Sequence, residues 1–187
     1  THDREEALAL GDSVQVINEG RTLVTGDPLE VLGQPGQGRV ARLVGVENLF
    51  ELTVQERNPR DGTMTCVGPN LQLEVPLDSH IEISPESEDG REPVTVGIRA
   101  SDIILAKEDL AGSSARNRLP GRVVSVESRS SGYAVTLDCG QHFRCHITGA
   151  ALEGVSIETG QHLWAVFKAS SCFLVDRERE PGSTPGI

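Results

Sequence analysis

The sequence predicts a mainly β protein, two tandem five-stranded barrel-like units preceded by a short α/β segment. Three observations carry this expectation. From Asn48 onward, short apolar runs alternate with turn clusters such as Asn58-Pro59-Arg60-Asp61-Gly62, Ser84 to Gly90 and Ser128 to Gly132. Two sets of such runs are related by one ungapped shift of 69 positions, which lays Asn48 on Asn117, Val54 on Val123, Arg99-Ala100-Ser101 on Lys168-Ala169-Ser170 and Leu105 on Leu174. The first 44 residues lack that pattern and mix helical with strand character.

In chain order, 4–10 has the composition of a short helix ended by Gly11, and 13–17 alternates as a strand turning at Asn18-Glu19-Gly20. A second strand follows at 21–25. Asp27 is a helix N-cap with Pro28 at the first helical position, leading into 29–32, and a further short helix is expected at 39–44. The first repeat gives strands near 49–56, 63–67, 70–75, 93–99 and 102–106. The second gives strands near 118–127, 132–138, 141–147, 162–168 and 171–175. This divides the chain into 1–44, 45–110, 111–176 and a charged, Pro- and Gly-rich tail at 177–187.

A length of 187 residues with 37% hydrophobic content suffices for a folded domain or two small ones. No run approaches the roughly 20 apolar residues that span a bilayer. The net charge of −11 argues against a general nucleic-acid or anionic-membrane surface, which needs clustered Lys and Arg. Any bound anion must therefore be held by a local site. Cys66, Cys139, Cys145 and Cys172 are scattered without CxxC spacing, which fits a reducing, cytoplasmic setting. The chain starts at Thr1 without Met and is expected to be a piece of a longer one.

A tetrahedral dianion needs convergent N–H and O–H donors with only one or two full positive charges. Ser114-Ala115-Arg116-Asn117 offers hydroxyl, amide, guanidinium and backbone donors just before a strand. Lys168-Ala169-Ser170-Ser171 offers an ammonium, two hydroxyls and more amides between the last two strands, and Thr148 adds a hydroxyl where a short helix starts. Each also has a plainer reading, as turn residues, a solvated surface amine and a helix cap. Cys139, His142, Cys145 and His146 could be drawn as a zinc site. Strand alternation puts His142 and His146 on one face and Cys145 on the other, so no metal is expected there.

Ser113 through Val123, with His146-Ile147-Thr148 and Phe167 through Ser171, resembles the molybdate-binding barrel of molbindins and of molybdenum importer ATPases, over about residues 111–175. The resemblance implies OB-like Mop/TOBE barrels and oxyanion ligands at Ser114, Ala115, Arg116, Thr148, Lys168, Ala169 and Ser170, to which the donor pattern adds Asn117. The ligand would be molybdate or tungstate, held between subunits or between paired barrels, so a homodimer is implied. Thr1-His2-Asp3, Leu10-Gly11-Asp12, Glu19-Gly20-Arg21 and Gly26-Asp27-Pro28 resemble the end of an ABC-type ATPase domain. His2 would then be its switch histidine, contacting the γ-phosphate of ATP.

The sequence holds no G-x-x-x-x-G-K-[ST] loop, and the strand aspartate and signature loop of such ATPases are also missing. This chain alone is expected not to hydrolyse ATP. ATP, Mg and a membrane permease partner belong to the longer subunit, at the inner face of the cell membrane. In the first repeat Gly45 and Glu47 stand where Ser114 and Arg116 stand in the second, so that unit is expected to be structural, because a carboxylate repels an oxyanion. Two rivals remain: a regulatory barrel for another solute such as sulfate or a sugar, and an oligonucleotide-binding barrel. The latter predicts stacking aromatics, against an aromatic content of 3%.

Overall fold

The computed structural model describes residues 4–33, 35–77 and 92–175, with only the backbone of residues 4 and 5. His2, the Ser84 to Gly90 turn cluster and the tail at 177–187 lie outside the described residues. Helix α1, Arg4–Leu10, ends where the Gly11 N–H donates to the Ala7 carbonyl at 3.1 Å. Strands β1 (Val14–Asn18) and β2 (Arg21–Gly26) pair across the Glu19-Gly20 turn, where both residues have positive φ. The Asp27 carboxylate accepts from the N–H groups of Leu29 and Glu30 at 2.8 and 3.4 Å and starts a helical turn, Leu29–Gly33, as an N-cap should. Helix α2, Gly38–Leu43, follows. Val31, Leu32 and Val40 form a small core with Val16, Leu23 and Val24.

The remaining strands are β3 (Asn48–Asn58), β4 (Thr63–Gly68), β5 (Leu71–Pro76), β6 (Pro93–Ile98), β7 (Ile104–Ala106), β8 (Asn117–Arg129), β9 (Gly132–Asp138), β10 (His142–Ile147), β11 (His162–Phe167) and β12 (Cys172–Val175). Helix α3, Gly149–Val155, lies between β10 and β11. All ladders are antiparallel, and the 69-position repeat is written into their register. Asn48 pairs with Ile98 as Asn117 pairs with Phe167. Both long strands carry a bulge at the same place, Gln55 in β3 and Val124 in β8. A bulge bends and twists its strand, which lets each sheet curl.

The sheets do not follow the two sequence sets completely. One sheet runs β12-β6-β3-β4-β5 and the other β10-β9-β8-β11-β7. Each set therefore sends its last, short strand into the sheet built by the other. Cys172 pairs with Ile98, and Val166 pairs with Ile104. Nothing in strand-level periodicity distinguishes pairing with one's own unit from pairing with an equivalent one, so the exchange is invisible in sequence. The edges β12 and β5 also approach each other, curling the first sheet toward a barrel.

One apolar core serves both sheets. It includes Phe50, Leu52, Met64, Leu73 and Val96 from the first and Val123, Leu137, Phe143, Leu163 and Phe167 from the second. The Phe143 ring touches Phe50 and Phe167 with centroids at 4.5 and 5.9 Å, in tilted arrangements. Strand β12 adds a second contact, placing Phe173 and Val175 against Ala41 of α2 and Val46. Gly97 is what admits Phe173: a Cβ on residue 97 would lie 2.5 Å from the ring.

Candidate functional site

Strands β8 and β11 run antiparallel with Asn117 opposite Phe167, so the residues just outside this pair, Arg116 and Lys168, sit side by side at one end of the sheet. Ser114-Ala115-Arg116 leads into one strand there and Lys168-Ala169-Ser170 leads out of the other. The turn Ala169–Ser171 packs against β5 of the other sheet. Seven of the eight expected ligands thus lie in one corner.

Their donors are in different states. The Ser113 hydroxyl donates to the Leu110 carbonyl at 2.7 Å and accepts from the Ala115 N–H at 3.3 Å, which fixes the approach to Arg116. Ser114 is exposed. Lys168 is exposed with an extended backbone, and its carbonyl accepts from the Ser171 N–H at 3.1 Å. The turn uses the N–H groups of Ser171 and Cys172, leaving those of Ala169 and Ser170 as the donors at its start.

Arg116 is 61% exposed and is held by a residue that sequence reasoning passed over. Its Nε donates to both carboxylate oxygens of Glu74, at 2.9 and 3.1 Å. That hydrogen bond, with the adjacent negative charge, raises the pKa of the guanidinium further. Glu74 comes from β5, where the alternation of Leu71, Leu73 and Val75 marks it only as an outward strand residue. The sequence signal for its role lies in no single unit, because the partner strand belongs to the other sheet.

Asn117 has a different job from the other seven. It is buried, and its amide nitrogen donates to the Glu74 carbonyl at 2.7 Å while its oxygen accepts from the Glu74 N–H at 2.8 Å. Its side chain locks the two sheets together and thereby places the Glu74 carboxylate against Arg116. The repeat mate Asn48 does the same on the other side, donating to the Arg144 carbonyl at 2.8 Å and accepting from the Arg144 N–H at 2.6 Å.

Thr148 is not brought to this corner. It follows β10, whose Ile147 pairs with Tyr133, which in turn pairs with Ser128 near the far end of β8. Its hydroxyl oxygen caps α3, accepting from the Ala151 N–H at 3.2 Å, and the hydroxyl proton remains for another acceptor. Strand β10 packs on the turn Ala100–Asp102, the repeat equivalent of the Lys168 corner.

That equivalent corner is furnished differently. The Glu47 carboxylate accepts from the Ala100 N–H at 3.1 Å and lies 3.6 Å from His146 Nδ1, so the chain's own anion stands where Arg116 stands in the second repeat. Arg99, the mate of Lys168, is buried and turned toward the carbonyls of Leu32 and Gly33, the latter at 3.2 Å. It ties the N-terminal segment to the barrels. As for the Cys/His cluster, Cys145 is buried and Cys139 half-buried, whereas His142 and His146 are exposed.

Comparison with known proteins agrees with this architecture. The TOBE domain family matches residues 113–174. The Molybdate/tungstate import ATP-binding protein WtpC of Pyrococcus horikoshii is 34% identical over 172 residues, 91% of this chain and 44% of that protein. The Putrescine transport ATP-binding protein PotG of Escherichia coli is 26% identical over 178 residues, 94% of this chain and 45% of that protein. The chain thus spans about half the length of the curated relatives it matches. Among solved structures, the cytoplasmic molybdate-binding protein ModG shares the fold with a TM-score of 0.55 at 24% identity, covering 69% of this chain and 95% of that one. The chain is therefore similar, along nearly all its length, to the ATP-binding subunits of ABC importers, and its residues 113–174 match the TOBE domain family.

Proposed function

We propose that this chain is the regulatory, C-terminal portion of the ATP-binding subunit of a molybdate or tungstate importer, and that the Arg116 and Lys168 corner binds the oxyanion in the cytoplasm to tune transport. The observation that carries this reading is the register of β8 on β11, which sets Arg116 beside Lys168 and the Ala169 and Ser170 amides, neither of which donates to another described residue. Two cations and a cluster of neutral donors suit a tetrahedral dianion, because hydrogen bonds rather than bulk charge supply the selectivity. ATP and Mg enter only through the longer subunit, which would also dock on a membrane permease at the inner face of the membrane.

The eighth ligand implies the oligomer. Thr148 lies some eleven residues of β8 away from Asn117, on the order of 35 Å of strand, so it completes the site only from a second copy of the chain. Calorimetric titration with molybdate tests the reading: wild type binds, and Arg116→Ala or Lys168→Ala loses at least tenfold in affinity. Absence of binding by wild type and by Glu74→Gln alike removes it. Mixing Arg116→Ala chains with Thr148→Ala chains should restore sites that neither variant has alone; no restoration would remove the shared-site dimer. The relationship to PotG supports a second reading, a barrel for another solute that acts through protein contacts alone, and competition among molybdate, tungstate and sulfate separates the two.

A further inference from the structure

Within that corner, Glu74 stands where no donor set for an anion would place it. Its carboxylate is only 21% exposed and lies against the guanidinium through both oxygens. The paired hydrogen bonds of its backbone to Asn117 fix where the side chain starts, and the two contacts to Arg116 Nε hold the carboxylate in the corner. The turn Ala169–Ser171 packs on the same strand, β5. Any anion reaching Arg116 and the Ala169 and Ser170 amides therefore meets a fixed negative charge within the same corner.

We propose that Glu74 is a resident counter-anion of the oxyanion site, a residue from the opposite sheet that occupies Arg116 at rest and sets the concentration at which the site fills. The inference rests on the oxyanion reading above. Glu74 acts in two ways. Engaging Nε alone aims the guanidinium and leaves its terminal nitrogens as the fork for an incoming ligand. Its charge also reduces the sum over Arg116, Lys168 and Glu74 from two positive charges to one, which weakens binding of a dianion. Because Asn117 joins Glu74 to the other sheet, this setting is linked to how the two sheets meet. A sensor that must discharge as its ligand is consumed needs moderate affinity, and a fixed carboxylate provides it without removing any donor.

The test is Glu74→Gln in the full chain, titrated with molybdate by calorimetry at several salt concentrations. The amide keeps an acceptor for Arg116 Nε and leaves the backbone bonds to Asn117 intact, so the melting temperature should change little. Affinity should rise about tenfold or more with a steeper salt dependence, a direction that loss of a merely structural residue would not give. Tighter binding by the variant supports the proposal, including the case in which wild type binds too weakly to detect. Wild-type binding with equal or weaker affinity in the variant overturns this proposal alone. Binding by neither protein overturns both it and the oxyanion reading.

Discussion

Asn48 and Asn117 are 2% and 3% exposed, and each gives its side-chain amide to the backbone of a strand in the other sheet. An alanine at either place would strand an N–H and a carbonyl in the interior. Leaving buried groups unsatisfied costs about 1 to 3 kcal/mol apiece, so Asn117→Ala and Asn48→Ala should each lower stability by roughly 2 to 4 kcal/mol in urea titrations. Both asparagines were legible as repeat mates from the sequence, but their role was not, because the backbone groups they satisfy belong to strands some distance away in the chain. The sequence led instead to Asn117 as an anion ligand, on the strength of its position beside Arg116. The buried thiols make a second residue-scale prediction. Burial pushes Cys66 up to about 11 and Cys145 and Cys172 to about 12, from an ordinary 9.0. The folded chain thus keeps protons that the unfolded chain releases above about pH 9, so this contribution to stability is complete below that pH and is lost as pH rises toward 12. Cys145→Ala should flatten the alkaline fall in melting temperature; an unchanged profile would assign that fall to other groups.

Among the elements, β12 has the most varied duties. It leaves the Lys168 corner, pairs with β6, and presents Phe173 and Val175 to α2 and Val46. Gly97→Ala would force a methyl into the Phe173 ring, which must move with its strand; a loss of about 1 to 3 kcal/mol is expected, as for other overpacked interiors. Hydrogen exchange should show that loss first in β12 and α2, and protection lost elsewhere instead would mean that the ring is not the obstacle. Element positions were the most legible part of the sequence. The ten barrel strands fall within two residues of the alternation-based assignments at nearly every boundary, and Asp27 caps its helical turn as its composition indicates. Alternation reports which face of a strand is buried, not which strand lies beside it. For that reason the spans were readable and the neighbours of β7 and β12 were not.

At the scale of the whole molecule, the shared core and the traded strands join the two halves into one cooperative body. Phe143 is fully buried between Phe50 of the first sheet and Phe167 of the second, and Phe143→Ala should cost about 3 to 5 kcal/mol. Thermal unfolding of the barrels should remain a single transition in wild type and variant alike, and separate transitions for the two halves would contradict the shared core. The proposed oxyanion corner is a property of this scale too, since Arg116 and Lys168 flank paired strands of one sheet and Glu74 belongs to the other. The traded strands also suggest an origin. A single ancestral unit whose last strand could find a home only in a neighbour would have been obliged to live as a pair, each member lending what the other lacked. Joining two such units head to tail turns that mutual loan into a covalent arrangement, after which the copies are free to differ, one corner carrying a guanidinium and the other a carboxylate.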